Sequence, residues 1–235
     1  MIPKIIHYCW FGYNKKPRLV NNCIESWAKF FPDYKIVEWN ESNFDIDCCD
    51  YTKEAYAEKK WAYVSDYVRM WVLFKYGGIY FDTDVEVLKP FGDEILKLNS
   101  FSGIEAVSGL VSQGLVYACN PGDAVVNEIL QSYKNEHFLN MPAELIKTIN
   151  KRTTEILDKY GYIHENVKQE IGTLVIFPNE YFCCYDPQKH ITVITEKSLS
   201  VHHYSASWLP WHVRLRHKIG VRLRKIYYSC YEQRR

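Results

Sequence analysis

The chain has 235 residues, a length typical of one α/β domain with a short extension. Hydrophobic residues make up 47% and aromatic residues 16% of the sequence, a composition that supplies a packed core and argues against a disordered chain. The formal net charge is only +1, but residues 208–235 hold eight Lys or Arg residues and one acid, so the rest of the chain is net acidic. This uneven distribution of charge predicts a basic C-terminal tail that binds an anionic partner.

The first forty residues have the pattern of a β-α-β unit. Residues 4–10 are rich in β-branched and aromatic side chains and predict a strand. Pro17 suits a first helical turn, and apolar residues then recur at helical spacing up to the break at 31–33. Residues 34–39 predict a second strand. Such a unit is the usual start of a nucleotide-binding α/β sheet.

A long buried helix is predicted at residues 61–76, because its apolar side chains surround most of a cylinder. Gly77 is predicted to end this helix. The preceding residues 40–60 are polar and predict a loop with a short helix. Shorter patterns follow along the rest of the chain. Strands are predicted at 78–81, 85–88, 174–177, 191–194 and 199–202 and, with a flexible connection, within 101–118, and helices at 124–133 and 143–160.

Eight cysteines are scattered along the chain, and none forms a Cys-x-x-Cys pair. The adjacent pairs at 48–49 and 183–184 lack the spacing of zinc ligands, so free and mostly buried thiols are expected. Residues 1–7 predict neither a secretory signal nor a membrane span. The predicted location is therefore a reducing cytoplasm.

Asp82-Thr83-Asp84 follows the short apolar strand at 78–81 directly. Two carboxylates one residue apart at a strand's end suit a hard divalent cation that carries a diphosphate. A plain strand-end turn, with one acid capping and the other solvated, is the alternative. The preceding helix and glycine pair favour the cation site, which needs a further protein ligand from elsewhere.

Asp66 and Arg69 lie three residues apart on the predicted buried helix, so their side chains leave it on nearly the same face. Charges on an apolar helix are costly to bury unpaired. They therefore form either an internal ion pair or a polar lining of a cleft.

Further candidates stand at the ends of other predicted strands. His202 and His203 offer imidazole to a manganese-type ion, and Trp208 offers an indole N–H to a phosphate oxygen. Trp10 and Tyr80 end predicted strands beside the expected site, where an aromatic ring can stack on a base. Ordinary core packing is the alternative for each of these side chains.

At this point the sequence resembles a known family. Residues 2–12, 65–69 and 76–84 are similar to the sugar-binding region of glycosyltransferase family 32. That family includes bacterial capsular polysaccharide transferases and yeast mannosyltransferases, and its motifs are shared with the glucosylating clostridial toxins. The strong similarity covers about residues 1–90, and a His-x4-Trp element at 203–208 extends it.

The resemblance implies a GT-A-type, Rossmann-like α/β fold, with a central mixed sheet flanked by helices and a catalytic domain at residues 1–207. It implies that Trp10 stacks on the base of a nucleotide-diphospho-sugar. Asp66 and Arg69 would bind the transferred sugar, and Tyr80 with Asp82 would contact the ribose.

The resemblance also implies a divalent cation, Mn²⁺ or Mg²⁺, with Asp84 as its main ligand and Asp82 reaching it through water. In the toxins an acidic residue stands five before the C-terminal tryptophan, and here that position is His203. His203 is therefore the expected further ligand, with His202 as the alternative. Trp208 matches the indole that contacts phosphate.

The implied reaction is transfer of a hexose, with a UDP-sugar favoured as donor and retention of anomeric configuration, in bacterial capsular, exo- or lipopolysaccharide biosynthesis. The acceptor is expected to be a lipid-linked oligosaccharide or a polysaccharide. Aromatic and aliphatic residues alternate with the basic ones in 208–235, which is compatible with a helix on an anionic membrane surface, at the inner face of the cell membrane. No nucleic-acid motif accompanies the basic residues.

Two other functions compete. The apolar strand followed by Asp-x-Asp also fits a haloacid-dehalogenase-like phosphohydrolase, with Asp82 as nucleophile and Asp84 as general acid. That class needs a late acidic pair after another apolar strand, which the sequence lacks. An inactive nucleotide-sugar-binding module is the other alternative.

Overall fold

A computed structural model describes residues 1–139, 146–186 and 191–205 of the chain. Its strands are β1 (Ile5–Cys9), β2 (Lys35–Trp39), β3 (Gly78–Tyr80), β4 (Val85–Val87), β5 (Ser100–Ile104), β6 (Val111–Cys119), β7 (Gln169–Ile171), β8 (Leu174–Phe177), β9 (Tyr185–Asp186), β10 (Ile191–Thr192) and β11 (Ser200–His202). Its helices are α1 (Arg18–Phe30), α2 (Asp50–Ala57), α3 (Trp61–Tyr76), α4 (Asp93–Leu96), α5 (Ala124–Gln131), α6 (Ile149–Asp158) and α7 (Asn179–Phe182), with a 3-10 turn at Ile46–Cys48.

The central sheet has seven strands in the order β2-β1-β3-β6-β5-β8-β7. β1, β2, β3, β5 and β8 run in one direction, and β6 and β7 run against them. The sheet is therefore mixed, as predicted. The carboxyl ends of β1, β3 and β5 meet at one edge, where the amino end of β6 also lies.

Hydrophobic side chains cover both faces of this sheet. One buried cluster joins it to α2, α3, α5 and α6, and the other joins it to α1, α4, α7 and β4. The two layers of helices match the predicted α/β architecture.

The opening β-α-β unit and the long helix are confirmed. β1 and β2 pair in parallel, and α1 connects them along the chain. α3 has the predicted bounds. Gly77 and Gly78 both have positive φ, at 62° and 97°. A Cβ on Gly78 would lie 2.6 Å from the Ile5 carbonyl oxygen, so this turn from helix to strand requires glycine.

The predicted helix at 143–160 is wrong at its start. Residues 146–148 are not helical, and α6 begins at Ile149, because the Thr148 side chain accepts the Lys151 amide and caps the helix there. Residues 140–145 lie outside the described part of the chain. The predicted strand at 191–194 is also shorter, ending at Thr192.

Candidate active site

A pocket of about 780 Å³ opens at the edge of the sheet where β1, β3 and β5 end. Trp10 follows β1, Asp82 follows β3 and Glu105 follows β5, and all three line the pocket. α3 supplies Asp66 and Arg69 from one face of the sheet. The topology thus gathers residues that are far apart in sequence at a single edge, the usual ligand position in such folds.

Arg69 links the two acidic groups of the inner pocket. Its Nη2 lies 3.0 Å from Asp66 Oδ1 and 3.1 Å from Asp82 Oδ1, and its side chain is 7% exposed. The guanidinium also lies 4.9 Å from the centre of the Tyr80 ring. The predicted shared face of Asp66 and Arg69 is present, and it faces the cleft as well as forming an ion pair.

Burial and the neighbouring charges shift the pKa values of Asp66 and Arg69. Burial and the neighbouring Asp82 raise the pKa of Asp66 to about 6, against the opposing effect of Arg69. Burial also opposes the charge of Arg69, but the carboxylates of Asp82 and Asp66 keep its pKa raised. Arg69 is therefore a permanent cation, while Asp66 changes charge near pH 6.

Asp82 is held from three sides. Its Oδ1 accepts a hydrogen bond from the Tyr80 hydroxyl at 3.1 Å in addition to the Arg69 contact. Its Oδ2 lies over Gly114 of β6, where a Cβ would stand only 2.1 Å from it. The carboxylate occupies space that only a glycine at 114 leaves open.

Asp84 is reached by the chain's late strand. β11 pairs antiparallel with β4 and places His202 opposite Val85, so that His202 Nε2 lies 3.1 Å from Asp84 Oδ1. The Ser205 amide donates to Asp84 Oδ2 at 2.8 Å. Burial raises the pKa of Asp84, but His202 and this amide outweigh it and hold the pKa well below its usual range.

The two candidate histidines have different surroundings. His202 lines the pocket, and although burial opposes its charge, Asp84 raises its pKa. His203 instead contacts Glu86, with Nε2 2.8 Å from Oε2, while its amide donates to the Asp84 carbonyl oxygen. The geometry thus places the alternative ligand, His202, rather than His203, beside the Asp84 carboxylate.

The donor set beside Asp84 fits a divalent cation that keeps open positions. The Asp84 carboxylate and the His202 imidazole, 3.1 Å apart, are ligand types that a manganese-type ion accepts, and the imidazole would bind such an ion after losing the proton that it shares with Asp84. Among the described residues, no group of three or more His, Cys, Asp or Glu side chains is arranged to enclose a metal ion. Such an ion would therefore take much of its shell from substrate phosphates and water, as Mg²⁺ commonly does.

Trp10 lies half-buried in the pocket wall, where its indole donates to the Asn14 carbonyl oxygen at 2.7 Å. Stacking of its ring on a base stays a prediction. Trp208 lies outside the described residues, and so does the whole of 208–235.

Sequence reasoning missed pocket residues on β6, at the start of α6, and directly after β5 and β11: Glu105, Ser112, Gly114, Thr148, Asn150 and Tyr204. Glu105 carries the same signal as Asp82, an acid directly after a buried strand. The rest have no local signal, because their place in the pocket depends on how distant strands pair.

Comparison with known proteins bears on the segment that holds the four charged residues Asp66, Arg69, Asp82 and Asp84. Residues 17–102 match the family model of the glycosyltransferase sugar-binding region containing a DXD motif. The segment runs from the start of α1 into β5 and includes Asp66, Arg69, Asp82 and Asp84, whereas Trp10 and His202 lie outside it.

A curated relative matches a stretch of the chain of similar length. The protein is 38% identical over 88 residues to inositol phosphoceramide mannosyltransferase 3 of Schizosaccharomyces pombe. The match covers 36% of this chain and 24% of the relative, so the chain spans about a quarter of the relative's length.

Two solved structures share the fold. The PaToxG glycosyltransferase has a TM-score of 0.53 at 21% identity, covering 67% of this chain and 69% of that one. A glycosyltransferase involved in glycosylation of the major capsid of PBCV-1 has a TM-score of 0.50 at 14% identity, covering 92% of this chain and 98% of that one. The predicted family resemblance and GT-A-type fold are confirmed.

Proposed function

We propose that the protein is a metal-dependent glycosyltransferase that moves a hexose from a nucleotide-diphospho-sugar to a saccharide acceptor. The observation that carries this proposal is the joining of two charged groups in one pocket. Arg69 lies between Asp66 and Asp82, and Asp84 lies against His202. One group suits sugar hydroxyls, and the other suits a cation with its diphosphate.

The donor is proposed to lie along the sheet edge. Trp10 stacks on the base, Tyr80 and Asp82 contact the ribose, and Asp66 with Arg69 binds the hydroxyls of the transferred sugar. Arg69 fits this task because its planar fork of donors can serve a carboxylate and a hydroxyl at once. Trp208 is proposed to donate to a phosphate oxygen.

The cation is proposed to be Mn²⁺ or Mg²⁺, held by Asp84 and, through water, by Asp82. The contact between Asp84 and His202 favours His202 over His203 as the further ligand. When bound, the cation would neutralise negative charge on the departing diphosphate.

The proposed step forms one bond and breaks one. The acceptor hydroxyl oxygen bonds to the anomeric carbon, while the bond from that carbon to the diphosphate oxygen breaks and leaves its electron pair on the diphosphate. The hydroxyl proton passes to that departing oxygen. Same-face departure and attack gives retention without an enzyme nucleophile, and positioning can contribute about 7–11 kcal/mol.

The salt bridges of the pocket favour this route over attack by an enzyme carboxylate. Asp66 and Asp82 both accept from Arg69, which lowers the nucleophilicity of their oxygens. The same contact weakens the phosphohydrolase alternative, in which Asp82 would attack phosphorus. The glycosyltransferase fold of the structural relatives also disfavours that alternative.

The activity test measures products from donors incubated with Mn²⁺. UDP-glucose, UDP-galactose and GDP-mannose form the panel, the last because the curated relative is named a mannosyltransferase. Release of nucleoside diphosphate is expected from one donor. Release of inorganic phosphate from simple esters would support the phosphohydrolase instead, and donor binding without release would support an inactive module.

Asp84→Asn removes the carboxylate that is proposed to hold the cation. Metal-dependent turnover is expected to fall by about 10²-fold or more, since the charge of the leaving diphosphate loses its main stabiliser. Asp93→Asn is the matched control, because Asp93 is an exposed carboxylate that pairs with Lys97 and does not line this pocket. Equal activity of the two variants would remove the metal assignment.

The acceptor is proposed to be a lipid-linked oligosaccharide or a polysaccharide of a bacterial capsular, exo- or lipopolysaccharide pathway. The curated relative is named for a lipid, inositol phosphoceramide, which supports a substrate presented at a membrane. Among the residues that the structure describes, every helix is too short or too polar to cross a bilayer. We propose a cytoplasmic protein that reaches the membrane's inner face through residues 208–235.

Deleting residues 212–235 tests that tail. Each basic residue near an anionic leaflet contributes about 1 kcal/mol, so binding to phosphatidylglycerol vesicles is expected to drop steeply while donor hydrolysis persists. Phosphatidylcholine vesicles serve as the uncharged control. Undiminished binding of the shortened protein to anionic vesicles would refute the anchor.

A further inference from the structure

The acids on either side of Arg69 are placed by two different elements, β6 and α6. Thr154, a buried residue of α6 outside the pocket lining, joins those elements. We infer that Thr154 is a positioning residue, whose hydroxyl sets the separation of the Asp66 and Asp82 carboxylates. This inference rests on the proposed transferase function, in which Asp66 and Arg69 bind the transferred sugar.

β6 fixes the position of Asp82. The Asp82 amide donates to the Gly114 carbonyl oxygen at 3.0 Å, and Asp82 Oδ2 lies where a Cβ on Gly114 would stand only 2.1 Å from it. Both the main chain and the side chain of Asp82 therefore follow β6 at this residue.

The first turn of α6 fixes the position of Asp66. The first amides of a helix have no acceptor within it, and a carboxylate is favoured there. Thr148 caps α6 through the Lys151 amide, and the Ile149 amide donates to Asp66. Burial raises the pKa of Asp66, while Arg69 and this amide oppose that effect. Asp66 is thus tied to α6 as well as to its own helix.

Thr154 joins these two elements through one hydroxyl. Its Oγ1 accepts the Val111 amide of β6 at 3.1 Å and donates to the Asn150 carbonyl oxygen of α6 at 2.8 Å. Val111 begins the strand that contains Gly114, and Asn150 follows Ile149 in the first turn of α6. Thr154 is 2% exposed, so water has little access to either bond.

Two further contacts hold α6 in other ways. Asn150 Nδ2 donates to Ser112 Oγ at 3.1 Å in the pocket wall, where substrate hydroxyls can compete for both groups. Arg152 Nη1 donates to the Ser132 carbonyl oxygen at 2.9 Å, which joins α6 to the end of α5 rather than to β6. Among the described residues, the bond from Val111 to Thr154 is therefore the only fully buried side-chain hydrogen bond between α6 and β6.

Neighbouring threonines allow a matched test. Thr154→Val keeps the branched shape of the side chain but removes the hydroxyl that accepts the Val111 amide. Thr153→Val makes the same change one residue earlier, where the buried Oγ1 has no hydrogen-bond partner in the described part of the chain. Thr154→Ser keeps the hydroxyl and is the conservative variant.

The measurement separates the sugar end of the donor from its nucleotide end. In Thr154→Val, kcat/KM for the fastest donor of the panel above is expected to fall at least about 10-fold, because a shifted Asp66 carboxylate misaligns the sugar. The inhibition constant of the free nucleoside diphosphate, which lacks the sugar, is expected to change less than about twofold. Thr154→Ser is expected to recover most of the activity, and Thr153→Val to match the wild type in both constants.

Several results would make Thr154 a merely structural residue and overturn the inference. They are equal effects of Thr154→Val and Thr153→Val, a serine variant as impaired as the valine one, and an inhibition constant that rises as much as kcat/KM falls. Thr154→Ala removes the same hydroxyl with a smaller side chain, and loss of folding in both the valine and the alanine variants by circular dichroism would overturn it too. A wild type that turns over no donor contradicts the proposed function itself, whereas the other results leave that function intact.

Discussion

The site depends at position 114 on the absence of a side chain. A Cβ there would lie 2.1 Å from Asp82 Oδ2 and 3.3 Å from Arg69 Nη1. Gly114→Ala should push the Asp82 carboxylate away from Arg69 and reduce donor turnover by about 10²-fold, since misplacement by about 1 Å can cost that much. Steady-state kinetics on the folded variant measures the effect.

Gly92→Ala is the matched control for this crowding. Its Cβ would also meet a carboxylate at 2.1 Å, that of Glu94, but Glu94 is exposed and can turn into solvent. Normal turnover is expected for this variant. If Gly114→Ala is as active as Gly92→Ala, the position of the Asp82 carboxylate does not limit the reaction.

The sequence predicted the residues whose neighbours along the chain carry the signal. Asp82 and Asp84 follow an apolar strand, and Asp66 with Arg69 share a helical face. Gly114 and Asn150 were missed because nothing beside them in sequence indicates a pocket. Their role depends on the pairing of β3 with β6 and on where α6 begins.

At the scale of elements, His7 ties β1 to β2 and to the end of α3. Trp39 can only donate, so His7 Nδ1 accepts its indole N–H at 3.0 Å and Nε2 donates to the Gly77 carbonyl oxygen at 2.9 Å. Burial lowers the pKa of His7 to about 4, despite the bond to Gly77. The junction therefore requires a neutral imidazole.

This junction predicts a specific loss of stability in acid. The unfolded chain binds a proton on His7 below its ordinary pKa of 6.5, whereas the folded chain does so only near 4. The free energy of unfolding should therefore lose about 3 kcal/mol from His7 as the pH falls from about 6.5 to 4. Urea unfolding across that range should show a smaller acid loss in His7→Gln than in the wild type.

Asp66→Asn provides a control of opposite sign. Burial raises the pKa of Asp66 to about 6, so the folded chain binds this proton more readily than the unfolded chain between about pH 4 and 6. Removing Asp66 should therefore steepen the loss of stability in acid. Parallel pH profiles for the wild type and His7→Gln would contradict the assigned role of His7.

Elements with strong local patterns were predicted to within a residue or so. α3 has a buried apolar surface and a glycine at its end, and both of its predicted bounds are correct. The predicted start of α6 was wrong, because Thr148 caps the helix and residues 146–148 lie outside it. β7 was missed because its residues, Gln169–Ile171, are mostly polar and form an edge strand.

At the scale of the whole molecule, function follows from the direction of the strands. β1, β3 and β5 run the same way and bring Trp10, Asp82 and Glu105 to one edge, while the β4–β11 pair returns the chain's late segment to Asp84. The opening β-α-β unit was readable from sequence. A histidine of the late strand was expected beside Asp84, but the antiparallel insertion of β6 and the pairing of β11 with β4 were not predicted, because they depend on contacts between distant segments.

Asp84 is proposed to anchor a cation that carries the donor's diphosphate. Anomalous scattering from crystals grown with Mn²⁺ and a nucleoside diphosphate tests it most directly. A manganese peak within coordination distance of Asp84, next to the diphosphate and absent from Asp84→Asn crystals, is the predicted result. A diphosphate bound without manganese at Asp84, or manganese bound at another site, would contradict the account.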